Sequence, residues 1–347
     1  MRTLMLTLLG LAAAATLEAQ VAVRGETVHT MAGEAIRDGL VLIGRDGRIE
    51  QVGPAKSIRV PAGYRTMTAK VVTPGLVDAH TVVGLAGALN QPHDQDQLET
   101  SDPLQPELRA VDAYNAREVL VEWLRSFGVT TLHTGHGPGA LMSGQTMVVK
   151  TVGNSVAEAV VDSSTMIAMT LGPDVRRAAL ITANSVSEIL AALRLQAEFG
   201  FRLVLDGASE AYLVLPQIKA AGVPVILHPS MARQTGGTEN ATLEDAMLLR
   251  NAGIPVALQS GFEGYVPKTR VVLFEAAILA ANGLTPAEAL ATITIDAARI
   301  IGQGSRIGSL EVGKDGDVVL FDGDPFEYTS HVCGVLINGR VVRESCR

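Results

Sequence analysis

The chain has 347 residues, 47% apolar and 18% charged, with a formal net charge of −8. That length suffices for one large α/β unit with a smaller satellite and exceeds what one small domain needs. Scattered acidity without a long basic run excludes an electrostatic footprint for nucleic acid and points to a small-molecule partner.

Residues 1–19 read as an export signal. Arg2 supplies a positive charge, Leu4 to Ala15 is almost wholly apolar, and small residues follow up to Ala19. Cleavage there leaves Gln20 as the new N-terminus, in the periplasm or outside the cell. The mature chain is then expected to need no membrane, because no further apolar run reaches the ~20 residues of a span. A homo-oligomer remains compatible with the sequence.

From Val21 to about Val72 short β-segments alternate with Gly and charged turns, among them Gly39 to Ile43 and Arg48 to Val52 around Asp46-Gly47. The same pattern returns at the far end, with Gly316 to Phe321 and Val335 to Val342 around Asn338-Gly339. Neither end has enough strands to close by itself. Residues 20–72 and 305–347 are therefore expected to join into one composite β-sandwich domain, with residues 73–304 inserted between them. Cys333 and Cys346 lie in this last part, and pairing and free thiols are equally compatible with the sequence.

The inserted part alternates strands and helices. Strands are expected at Gly128 to His133, Val223 to His228 and Ile254 to Leu258, and helices at Asp112 to Phe127, Ser187 to Phe199, Thr242 to Ala252 and Thr285 to Ile301. Thr285-Pro286-Ala287-Glu288 carries a cap, a first-turn proline and a capping-box glutamate. Repeated units of this kind predict an α/β protein with a (β/α)8 TIM-like barrel; a doubly wound open sheet is the alternative. Only six residues separate the strand-like Met166 to Leu171 from Ala178 to Thr182, too few for a parallel crossover. The barrel is thus expected to be truncated near its fourth and fifth strands.

Seven His are present. His80, His133 and His228 fall at strand ends, His93 and His136 in the loops just after, and His29 and His331 in the β-domain. A barrel keeps its chemistry at the C-terminal ends of its strands, so five imidazoles are expected at one mouth. Three or four of them can hold a divalent ion and ready its water for attack on a carbonyl.

The stretch Val71 to Gly84, VVTPGLVDAHTVVG, contains PGLVDAH. It resembles the first barrel strand of the amidohydrolase superfamily, in its imidazolonepropionase-like branch, and the likeness runs from Val21 to Val342. The resemblance implies metal-dependent hydrolysis of non-peptide carbon–nitrogen bonds, such as those of cyclic amides. The branch has a second His two places after the first; here that place is Val82. Where strands five and six of the family supply His, the matches are Asn184 and Gly207, the latter beside Asp206. Where strand eight supplies the proton-accepting Asp, Gly261 stands. Glu239 and Glu263 are nearby carboxylates that can replace it. Two readings follow. One is a hydrolase with at most one zinc or other divalent transition metal, bound by His80 with two or more of His133, His136 and His228. The other is a pseudoenzyme, with no metal required, that binds a small molecule or a protein partner without turnover.

Overall fold

In a computed structural model the described residues are 20–89, 91–170, 179–231, 234–261 and 271–346. The expected signal, residues 1–19, and Glu263 lie outside them.

Both ends of the chain contribute to one sheet. Its strands are β1 (Val21–Val28), β2 (Ile36–Ile43), β3 (Ile49–Pro54) and β4 (Arg65–Pro74) from the first end, with three more from the second. The barrel strands between them are β5 (Leu76–Thr81), β6 (Val129–Thr134), β7 (Met142–Gln145), β8 (Met147–Lys150), β9 (Val160–Asp162), β10 (Ile167–Met169), β11 (Ala179–Ala183), β12 (Leu203–Gly207), β13 (Val225–Leu227) and β14 (Val256–Leu258). The closing strands are β15 (Val318–Phe321), β16 (Val332–Ile337) and β17 (Arg340–Arg343). The sheet order is β17-β16-β15-β4-β1-β2-β3, joined where β15 runs antiparallel to β4 with Val318 opposite Pro74. A single seven-stranded sheet thus stands where two packed sheets were expected. Alternation supplies the reason: Val21 and Val23 join one buried cluster and Ala22 with Leu40 and Leu42 another, so both faces of the sheet are covered. The turn between β16 and β17 places Asn338 and Gly339 at φ of 50° and 75°, the doubly left-handed pattern of a tight hairpin. Cys333 and Cys346 form a disulfide that ties the tail to β16.

The barrel is a ring with one reversed stave. β5 and β6 run parallel; β8 is antiparallel to β6, and β7, one residue before β8 on the same stave, is antiparallel to β10. β10 to β14 are parallel neighbours, and Gly261 N donates to His80 O to bring the last stave back to the first. Antiparallel neighbours need no helical crossover, so Gly135 to Gly139 serves as the short link between β6 and the reversed stave. The short junction noted in the sequence lies between β10 and β11, which pair in parallel; residues 171–178 of it are outside the described residues. Among the helices, the capping box at Thr285 and Glu288 forms as expected. The helix it opens ends at Thr292 and a second spans Ile295–Ile300. The helix expected from Thr242 begins at Asp245, with Glu244 as its N-cap, and Thr242 accepts from the Glu244 backbone N–H.

Barrel and sheet meet on a buried charge cluster. Lys150, 2% exposed at the end of β8, pairs with Asp317 and lies 3.2 Å from Asp315. Asp317 also accepts from Thr130 Oγ1 at the start of β6 and from the Asn338 backbone N–H, while its carbonyl accepts from Gly75 N between β4 and β5. Removing one member of a buried pair leaves an uncompensated charge, at a cost of about 3–5 kcal/mol. Lys150→Met is therefore expected to lower the unfolding free energy by about that amount in denaturant titration. Arg24→Ala, which breaks the exposed Arg24–Asp38 pair, is expected to be indistinguishable from wild type.

Candidate functional site at the barrel mouth

The period-two alternation of strands positions the site. Val77, Ala79, Leu180, Val204, Ile226 and Ala257 share one interior cluster, plugged from below by Ala297, Ala298 and Ile300 of the Ile295–Ile300 helix. Two places further along four of these strands stand Thr182, Asp206, His228 and Gln259, which side by side line a cavity of about 140 Å³. His80, Val82, Asn184, Gly207, Ser260 and Gly261 complete most of its wall. The apolar floor and the polar mouth are successive layers of the same staves.

His80 is the centre of the polar network. Its Nδ1–H donates to Asp206 Oδ1 at 2.9 Å, and its Nε2 is buried with no hydrogen-bond partner among the described residues. Asp206 is in turn held by Gln259 Nε2 at 2.9 Å and Thr182 Oγ1 at 2.8 Å. Burial opposes charge on His80, yet the Asp206 carboxylate outweighs it and raises the imidazole pKa above its ordinary value. Burial likewise works to raise Asp206, and His80 with the hydroxyl and amide donors overcomes it to hold this carboxyl below its usual range. The pair is an oriented imidazole with one nitrogen available to a bound molecule.

The remaining His residues are differently employed. His133 donates from Nδ1 to Ala79 O at 2.7 Å; burial pushes its pKa down to about 3, so the neutral ring accepts at Nε2 from Thr146 Oγ1, also at 2.7 Å. Its ring centroid lies 5.9 Å from that of His80. His228 lines the cavity, but Nδ1 donates to Pro229 O and Nε2 stands 3.3 Å from Asp245 Oδ2. His136 is buried beside Gly144 and Leu108, away from the cavity wall, and burial lowers its pKa to about 4. His93 and Glu239 are exposed. The mouth thus receives two imidazoles where five were expected.

The expected grip of His80, His133, His136 and His228 on one ion is not formed. Among the described residues the one group of three or more His, Cys, Asp or Glu whose ligand atoms come within 4.8 Å of one another is Asp322, Cys333 and Cys346, and both sulfurs of that group are spent in the disulfide. The physical reason is local: His133 is taken up between Ala79 O and Thr146 Oγ1, His228 between Pro229 O and the helix carboxylate of Asp245, and His136 lies off the cavity wall with both nitrogens unpartnered. The residues missed by inspection of motifs are Thr182, Gln259 and Asp78. The first two share a period-two face with Leu180 and Ala257, and that register is the signal that could have found them.

Comparison with known proteins shows what this fold and site resemble. An amidohydrolase family profile matches residues 174–343. An amidohydrolase from Thermotoga maritima superposes with a TM-score of 0.86 at 24% identity, covering 93% of this chain and 100% of the other. An adenosine deaminase from Xanthomonas campestris with bound zinc superposes with a TM-score of 0.61 at 17% identity over 94% of this chain and 93% of the other. The chain is thus amidohydrolase-like, in fold over nearly its whole length and in sequence over residues 174–343. In sequence it is imidazolonepropionase-like. The Solibacter usitatus imidazolonepropionase is 24% identical over 86% of this chain and 88% of its own length, and one from a Geobacillus strain is 40% identical over 30% of this chain and 26% of its own. Members of the superfamily typically depend on a metal; the donors described here do not fit one.

Asp78, fully buried on β5, accepts from Ser260 N with Oδ1 and has no partner for Oδ2. Burial pushes its pKa up to about 7. The unfolded carboxyl ionises near 3.8, so the folded state holds the extra proton between these values and stability falls as pH rises through that window. Asp78→Asn keeps the acceptor and removes the titration. Its stability relative to wild type is expected to rise by on the order of 4 kcal/mol between pH 4 and pH 7, measured by denaturant midpoints at several pH values.

Proposed function

We propose that the chain is a hydrolase of non-peptide carbon–nitrogen bonds in small molecules, such as cyclic amides, with His80 as its general base. The observation that carries this reading is the unpartnered Nε2 of an imidazole whose Nδ1–H is fixed by Asp206, at the C-terminal end of the first barrel strand. Likeness to the amidohydrolases supports the reaction class, and the imidazolonepropionase names of the sequence relatives support a cyclic amide as substrate. The cavity limits the reacting part of the substrate to something of a few heavy atoms' breadth.

The step balances without an added reagent. A water held at Nε2 gives its proton to the imidazole as its oxygen bonds to the carbonyl carbon. The amide NH2 of Asn184, on the same wall, can donate to the oxygen that gains charge. Collapse breaks the C–N bond, and the proton on Nε2 passes to the leaving nitrogen. Because Asp206 raises the His80 pKa above 6.5, the base form grows in as pH rises past that point. The rate is expected to climb as pH rises through the raised His80 pKa. Loss of Nε2 basicity removes one general-base contribution, typically 10²–10⁴-fold. His80→Gln is therefore expected to lower kcat/KM by about that factor in an assay of ring-opening on small lactams and cyclic ureas; unchanged turnover in that variant would remove His80 from the mechanism.

A second reading is favoured by Val82, Gly207 and Gly261, which leave the mouth without the donors the family provides: binding of a small molecule without turnover. Absence of hydrolysis across the same panel, with binding retained, would select it. We further propose an exported protein, periplasmic or secreted, on the strength of the apolar N-terminal stretch. The Cys333–Cys346 disulfide supports an oxidising compartment. Among the described residues no helix is long and apolar enough to cross a membrane. The proposed partner is the small molecule itself.

A further inference from the structure

The positions that lack metal donors are not merely short of side chains; at two of them the backbone does not admit one without strain. Gly207 has a φ of +80°, and a Cβ added there would lie 2.5 Å from Asn184 Oδ1. Gly261 has a φ of +68°, and its added Cβ would lie 2.7 Å from Pro229 Cγ. A left-handed backbone disfavours any side chain, and a contact under 3 Å requires a neighbour to move. At two separate strand ends, then, a His or Asp would meet both strain and a clash. Val82, at the third position, is 6% exposed and packs its branched side chain into the cavity wall.

Most donors on the described cavity wall are already engaged. Asp206, the one carboxylate among the described residues of the cavity wall, accepts three hydrogen bonds, from His80, Gln259 and Thr182. His228 has a protein group against each ring nitrogen, and His133 is similarly occupied between Ala79 and Thr146. Among the described residues of the cavity wall, His80 Nε2 is the one imidazole nitrogen left without a protein partner; the unpartnered nitrogens of His136 and the unpartnered Asp78 Oδ2 stand off that wall and join no group of three ligand atoms within 4.8 Å, and one monodentate imidazole does not chelate a divalent ion.

We infer that the barrel mouth is a metal-free site, in which the His80–Asp206–Gln259–Thr182 hydrogen-bond network braces adjacent staves at the place where the superfamily keeps an ion. This rests on the same cavity as the proposed hydrolase activity but does not depend on turnover. It predicts that the mature protein folds, and keeps the geometry of its mouth, without a divalent cation.

The test uses the full mature chain. Metal content is measured by elemental analysis after purification without chelator and dialysis against metal-free buffer, and thermal unfolding is followed with EDTA and with zinc alone. The expected result is well under one-tenth of an ion per chain, with a melting temperature unmoved by EDTA. Zinc taken up at surface groups is expected to be retained equally by wild type and His80→Ala. Near-stoichiometric metal after dialysis would overturn the inference, as would zinc binding lost in His80→Ala. If His80→Ala fails to fold, the metal content of wild type decides alone. A metal-free protein that hydrolyses nothing sinks the hydrolase reading and leaves this inference standing; a metal-loaded protein that hydrolyses a cyclic amide does the reverse.

Discussion

The structure depends first on the buried carboxylate of Asp317. It lies where the composite sheet turns into the barrel, and it accepts from Lys150 of the reversed stave, from Thr130 of β6 and from the backbone of the Asn338 turn. Its own carbonyl fixes Gly75, the single residue between the last sheet strand of the first half and the first barrel strand. A Cβ at Gly75 would meet Thr130 Oγ1 at 2.1 Å, so the chain passes this point only with hydrogen there. Charges taken out of water are costly unless fully paired, which makes this junction specific: alternative dockings of sheet on barrel would leave Lys150 or Asp317 alone.

From that junction β5 carries its side chains upward in layers. Val77 and Ala79 belong to the dry interior and His80 to the mouth, with a register shift between Asp78 and Thr81 that turns the strand end. The site is thus an outcome of barrel packing. Staves β11 to β14 stand in parallel register, so an inward residue on each is matched by an inward residue on its neighbour, and Thr182 falls opposite Asp206. Two groups hydrogen-bonded across adjacent staves tie the catalytic proposal to the fold: the network that orients His80 also braces the ring.

The absence of chelating geometry and the presence of an oriented imidazole are linked consequences. In a dry interior every imidazole nitrogen must find a partner or lose stability. His133 and His228 found theirs in neighbouring protein groups, His80 found Asp206 at one nitrogen only, and His136, off the cavity wall, found none and bears that cost. What remains among the described residues of the wall is one unpartnered imidazole nitrogen facing a small cavity, suited to proton transfer or to a hydrogen bond with a ligand.

The alternation of the chain determined much by itself. Short strands at both ends with Asp46-Gly47 and Asn338-Gly339 turns, βα units between them, and a DAH sequence at the tip of an apolar strand placed the architecture and His80 before any coordinates. These are local signals, set by backbone sterics and the burial period of each element. Only the tertiary structure decided that the end strands form one sheet, that residues 142–150 run backwards in the ring, that His133 and His136 are withdrawn from the mouth, and that Thr182 and Gln259 hold Asp206. Each of these depends on which groups from distant segments meet in the interior, and a buried hydrogen-bonding group takes the nearest acceptor that packing brings to it, whatever its place in the sequence.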